Sequence, residues 1–233
     1  MRVAILGDIH GNALALRAVL EAAVKEGVEK LLITGDLVGY YFAPGEVLKL
    51  LAPWDKVIVR GNHEEMLTSA RTDPSQLTKI DATYGSGLRL ALTELSSPQL
   101  DELSRLPHPL RVEIDGLRIL LCHGAPWDSG HYVYPDAPPE LLERCAEPDV
   151  DVVVMGHTHY PMLHSIDKRL LVNPGSVGQP RNRSPGAWWA MLDTCSDKKV
   201  VIKRETYDIQ AVADEAKQRH PELPYLAKVL WRT

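Results

Sequence analysis

Five apolar runs, VAIL, KLLIT, KVIVR, RILLC and DVVVM, show no in/out alternation of polar and apolar positions. That pattern suits strands buried on both faces. Helical periodicity separates the first three. Asn12 can cap a helix whose apolar face includes Leu14, Leu16, Val19, Leu20 and Val24, and Gly27 ends it. A second helix is predicted near Pro44–Leu51, between strands at residues 30–34 and 56–60. Residues 64–106 read as helical pieces broken at Pro74, around residues 85–87 and at Pro98. This helical insert is expected to form one wall of a site.

The second half changes character. Residues 110–114 and 117–122 flank Asp115-Gly116, a strong hairpin signal. Segments 150–155, 169–172, 188–192 and 199–205 read as further strands joined by short loops. Helical spacing returns over Ile209–Arg219. An apolar tail follows, Tyr225, Leu226, Val229, Leu230 and Trp231, which either packs on the body or sits at a subunit contact, so a homo-oligomer stays open. The expected class is α/β, with two packed mixed sheets flanked by helices. No linker, repeat or low-complexity tract interrupts the chain, so residues 1–233 are expected to form one domain.

Composition narrows the function. A hydrophobic content of 45% with 24% charged residues is that of an ordinary globular chain. The net charge of -5 and the lack of a Lys/Arg cluster argue against a nucleic-acid track. No apolar stretch is long enough to span a bilayer, and with only Met1–Leu6 before the first motif no secretory leader is expected. Cys122, Cys145 and Cys195 are odd in number and far apart, which fits reduced thiols and a cytoplasmic setting.

Each apolar run is followed by a short polar motif: GDIHGN, GDLVG, GNHEE, LLCHG and VMGHTH. Open α/β sheets place ligands just beyond the carboxyl ends of their strands. Asp8, His10, Asp36, Asn62, His123, His157 and His159 are therefore expected at one rim. Asp8 and His10, two apart, would share one side of an extended segment. Asp36, with two carboxylate oxygens, can bridge two ions. Mixed N/O ligation suits Mn²⁺, Fe, Zn²⁺ or Ni²⁺ and fits poorly with Ca²⁺. Two divalent ions, less the charges of Asp8, Asp36 and a bridging hydroxide, leave a positive pocket for a phosphate group. Hydrolysis of a phosphate ester is the leading reading. His63, beside a ligand, is placed to protonate the leaving group.

In motif order the chain resembles the calcineurin-like metallophosphoesterases, from Asp8 to His159, and NPGSVGQPRN resembles a loop of their small prokaryotic phosphodiesterases. The resemblance implies a four-layer αββα sandwich and a dinuclear centre, with Mn²⁺ first among the metals. It assigns Asp8, His10, Asp36 and His159 to one ion. Asp36, Asn62, His123 and His157 go to the other, with His63 as the catalytic histidine. Protein Ser/Thr phosphatases of the family, and related dinucleoside tetraphosphate hydrolases, carry an arginine soon after the second motif. Here Tyr40 and Tyr41 follow instead. Arg181 and Arg60 are candidate replacements for contacting the substrate, with Tyr40 beside them.

The expected partner is a small phosphorylated substrate, a diester or monoester, with no membrane or nucleic acid involved. Competing readings are a protein phosphatase, a nuclease, and a non-catalytic scaffold resembling the retromer subunit of this fold. That scaffold has lost the histidine matching His63, which this chain keeps. Trp127, Tyr132 and Tyr134, after the fourth motif, could stack on a nucleobase or pack their loop onto the body, with packing favoured.

Overall fold

The apolar runs become the centre of two sheets, and the packing explains why they lack alternation. In a computed structural model describing residues 1–196 and 199–232, the chain begins β1 (Arg2–Leu6), α1 (Ala13–Lys25), β2 (Lys30–Ile33), α2 (Pro44–Leu51) and β3 (Lys56–Ile58). The helical segment follows: α3 (Asn62–Thr72), a 3₁₀ turn at Pro74–Gln76, α4 (Leu77–Tyr84), α5 (Gly87–Glu94) and α6 (Ser97–Ser104). Next come β4 (Leu110–Ile114), β5 (Leu117–Leu121), α7 (Pro139–Cys145), β6 (Val152–Val154), β7 (Met162–Ile166) and β8 (Arg169–Asn173). The chain closes with β9 (Ala187–Asp193), β10 (Val200–Glu205), α8 (Ile209–Arg219), α9 (Tyr225–Lys228) and a 3₁₀ turn at Val229–Trp231.

One sheet runs β10-β9-β1-β2-β3, and the other β4-β5-β6-β8-β7. Both are mixed. β1, β2 and β3 are parallel while β9 and β10 run against them, and β5, β6 and β8 are parallel between antiparallel edges β4 and β7. The sheets stack face to face over Val3, Ile5, Leu32, Ile119, Leu121, Val154 and Ala190. The opposite side of β1 and β2, through Ala4, Leu6, Leu31 and Ile33, packs on Leu16, Val19 and Val47 of α1 and α2. On the far side of the second sheet, Leu120, Cys122 and Val153 meet Leu142 and Cys145 of α7. The fold is the expected four-layer αββα sandwich.

Several expectations need correction. Leu14 and Val24 are exposed, and the buried face of α1 is Ala15, Leu16, Val19, Leu20 and Ala23 instead. β3 is an edge strand and only half-buried. Pro98 does not break a helix. It sits in the first turn of α6, where its missing N–H has no intrahelical partner to lose, and the break falls at Leu95–Ser96. β7 and α7 were not anticipated. The apolar tail packs on the body in part: Leu226, Val229 and Leu230 are buried with Tyr40, Tyr41 and Phe42, and the Tyr41 hydroxyl donates to Leu226 O at 3.0 Å, while Tyr225 and Trp231 stay exposed. Among the described residues no helix is long and apolar enough to cross a membrane.

Candidate metal centre

The rim beyond β1, β2, β5 and β6 gathers the polar motifs into one buried cluster. Asp8, His10, Asp36, His63, His123, His157 and His159 are all buried. Asp8 and His10 do not share the side of an extended segment, as their spacing suggested. Both adopt left-handed backbone, with φ of 53° and 51°. So do Asp36 at 53°, His157 at 66° and His159 at 62°. Asp and His tolerate this region better than bulky or β-branched residues, and the kinks turn both side chains inward after the strand has ended.

Hydrogen bonds fix each ring. His10 Nδ1 donates to Val38 O at 3.1 Å, His123 Nδ1 to Thr34 O at 2.7 Å, and His159 Nδ1 to Gln179 O at 2.7 Å. A carbonyl can only accept, so these nitrogens carry protons, and in the neutral ring each Nε2 presents a lone pair. His157 is reversed: its Nε2 donates to Gly130 O at 3.1 Å, leaving Nδ1 for the cluster. The lone pairs then face one another or face oxygens. His10 Nε2 and His159 Nε2 are 3.1 Å apart. His123 Nε2 lies 2.9 Å from Asn62 Oδ1 and 3.4 Å from Asp36 Oδ2. His159 Nε2 lies 3.4 Å from Asp8 Oδ1, and Asp36 Oδ2 is 3.6 Å from His10 Nε2. Neutral imidazoles so arranged repel unless a cation sits among them. Buried N and O donors of this kind fit transition-metal ions.

The charges agree. Burial lowers His10 well below its usual range, and holds His63 and His157 at about 4, with neighbouring imidazoles adding to it. Burial acts the same way on His123, but Asp36 outweighs it and raises that ring to about 9. Asp36 itself is held well below the carboxylate range: burial opposes this, and His123 and His63 overcome it.

The frame behind the ligands is largely backbone. Asp36 Oδ1 accepts the N–H of His63 at 2.9 Å, which leaves Oδ2 free for the cluster. The His157 N–H donates to Asp8 Oδ1 at 3.1 Å, tying the two sheets together at this rim. The loop 173–182 buttresses the first motif, with the Ser176 hydroxyl donating to Asp8 O at 2.7 Å. Glu64, given no role by its position in the sequence, accepts from Asp36, Leu37 and Gly61 N–H at 2.8, 2.8 and 2.9 Å. The only sequence signal for it was its place three residues into a helix after a glycine cap. Gly39 is another such residue. Its φ is +93°, and a Cβ there would run into His63 Nδ1.

The candidate substrate residues divide. Arg181 lies beside the cluster, its Nη2 donating to the Tyr40 hydroxyl at 3.1 Å and to Gln179 Oε1 at 3.1 Å. Tyr40 packs edge-on against His10, with ring centroids 4.6 Å apart, and lies 4.9 Å from the ring of His63. Arg60 instead pairs with Glu65 at 3.3 Å. Trp127 packs under the Arg144 guanidinium, 3.7 Å from the ring centroid.

Residues 1–197 match the calcineurin-like phosphoesterase superfamily domain. The chain belongs to that superfamily and is a metal-dependent phosphoesterase. An uncharacterized protein of Methanocaldococcus jannaschii is 28% identical, over 94% of each chain. The phosphodiesterase YfcE of Escherichia coli is 26% identical, over 83% of this chain and 88% of its own. Among solved structures, hypothetical protein PH1004 of Pyrococcus horikoshii has a TM-score of 0.85 at 27% identity, covering 99% of this chain and 98% of that one. A metallophosphoesterase from Sphaerobacter thermophilus has a TM-score of 0.77 at 26% identity, with the same coverage.

Proposed function

We propose that this protein hydrolyses a small phosphodiester or phosphomonoester at two divalent transition-metal ions, Mn²⁺ first, with Fe, Zn²⁺ and Ni²⁺ as alternatives. The observation that carries the reading is the single oxygen, Asp36 Oδ2, set between His10 and His123 at 3.6 and 3.4 Å. Asp8, His10, Asp36 and His159 would hold one ion, and Asp36, Asn62, His123 and His157 the other. When bound, such a pair polarises phosphoryl oxygens and supplies a nucleophile from water at neutral pH.

The chain's own residues contribute the rest. His63 stands in the first turn of α3, beside the proposed ligands Asp36 and Asn62. Its ring is uncharged in the buried site, and a phosphoryl group beside it adds the negative charge that favours protonation. So charged, it can pass a proton to the departing oxygen. Arg181, steadied by Tyr40, offers a fixed positive charge to a phosphoryl oxygen and stands in for the arginine missing after the second motif. The likeness to a named phosphodiesterase along 88% of that protein's length supports a diester substrate. Three unpaired cysteines support a reducing, cytoplasmic setting.

Elemental analysis and turnover of bis(p-nitrophenyl) phosphate test this together. About two ions per chain are expected, with turnover abolished by chelation and restored by Mn²⁺. Full turnover without metal, or none in the loaded protein, overturns the reading.

A further inference from the structure

A row of tyrosines leads outward from the metal-ligand cluster. The ring of Tyr132 stacks on His157 at a centroid distance of 4.0 Å and 27°. Tyr134 lies parallel to Tyr132, 5.6 Å away and tilted by 6°, and Tyr160 meets Tyr134 edge-on at 5.8 Å. Tyr132 remains 45% exposed and Tyr134 40%, whereas Val133 between them is buried. Val133 therefore anchors the loop, and the two tyrosines are not needed for that purpose. Tyr134, Pro135, Asp136 and Tyr160 line a recess of about 410 Å³. That lies within the range of roughly 300–1,000 Å³ usual for small-molecule pockets. Arg181 is within electrostatic reach of both Tyr132 and Tyr134, so a fixed positive charge borders the row.

Flat π faces beside a phosphate-binding charge match a ligand that joins a planar ring to a phosphoryl group. We propose that Tyr132 and Tyr134 form a stacking platform for a nucleobase, and that the substrate is a phosphoester of a nucleoside. This rests on the phosphoesterase reading and names its substrate class. Stacking engages the ring face, which every base possesses, so the site is expected to tolerate different bases. Trp127, by contrast, lies under the Arg144 guanidinium and takes no part in the row.

The test is calorimetric titration of the Mn²⁺-loaded protein with methylenephosphonate analogues of AMP and of ribose 5-phosphate. Neither can be hydrolysed, and the two differ only in the base. The AMP analogue is expected to bind roughly 5- to 150-fold more tightly, the range for one stacked base. Tyr134→Leu should remove most of that preference while leaving ribose phosphonate binding unchanged, and Tyr134→Phe should keep it. Equal affinities in the native protein, or a preference untouched by Tyr134→Leu, overturn the platform. Base preference without any ester turnover would sink the catalytic reading and leave the platform standing. Turnover of bis(p-nitrophenyl) phosphate without base preference would sink the platform alone.

Discussion

Glu64 lies directly behind Asp36 and accepts that residue's backbone N–H at 2.8 Å. Its carboxylate is fully buried, and it also holds Leu37 and Gly61, so one side chain joins the loops after β2 and β3. Burial, with Asp36 nearby, raises its pKa to about 7 against the pull of its N–H donors. Glu64→Ala strands three buried donors and is expected to destabilise the protein by roughly 3–5 kcal/mol. Urea unfolding of the metal-free protein checks this, and an unchanged midpoint would remove Glu64 from the frame.

Asp36→Asn keeps the shape of the side chain but removes its charge. Because Asp36 Oδ2 faces both His10 and His123, metal content and activity should fall together. Asp8→Ala, whose carboxylate faces the ring of His159 but only the backbone N–H of His157, should weaken chiefly one ion. Two retained metals with normal turnover in Asp36→Asn would disprove the bridging role.

His63→Gln should leave two ions bound while kcat falls by roughly two to four orders of magnitude, the range for a lost acid catalyst. The fall should be steeper for an alkyl ester than for a nitrophenyl ester, whose leaving group departs without a proton. Gly39→Ala should imitate it, because the added methyl displaces the His63 ring. Loss of metal from His63→Gln would instead place that ring among the ligands.

Acid stability should depend on His108, which lies outside the ligand set. Burial, aided by the charge of His123, lowers its pKa to about 4, and its Nε2 is buried without a partner among the described residues. The unfolded chain takes up this proton as pH falls through about 6.5, while the folded one resists until about 4. The folded state therefore loses stability across that window. His108→Gln should flatten the decline, measured as urea midpoints at pH 7 and pH 4.5. A mutant difference that does not vary with pH would refute this.

The five apolar runs were legible because strands covered on both faces need no polar positions. β7 escaped notice for the opposite reason: it is an edge strand, and only Met162 in it is buried. α7 opens on the second of a pair of prolines and buries only Leu142 and Cys145, too few for a helical period. The convergence of the ligand motifs followed from strand ends sharing a rim. The inward turn of Asp8 and His10 did not, because a left-handed backbone leaves no mark on sequence spacing. Nor did the pairing of Arg181 with Tyr40, since the residues are 141 positions apart and meet only after both sheets have formed.

The left-handed backbone at five of the seven proposed ligands constrains any re-engineering of the metal preference. Replacing His10 or Asp36 by a β-branched residue would strain the main chain before coordination chemistry had any say, at about 1–2 kcal/mol per position. Asn62 and His123 have ordinary backbone angles, the first opening α3 and the second following β5. A cysteine or glutamate introduced to retune the ions would therefore be tried first at those two sites. Both are proposed for the half of the centre shared with His157, so substitutions aimed at metal preference would begin on that half.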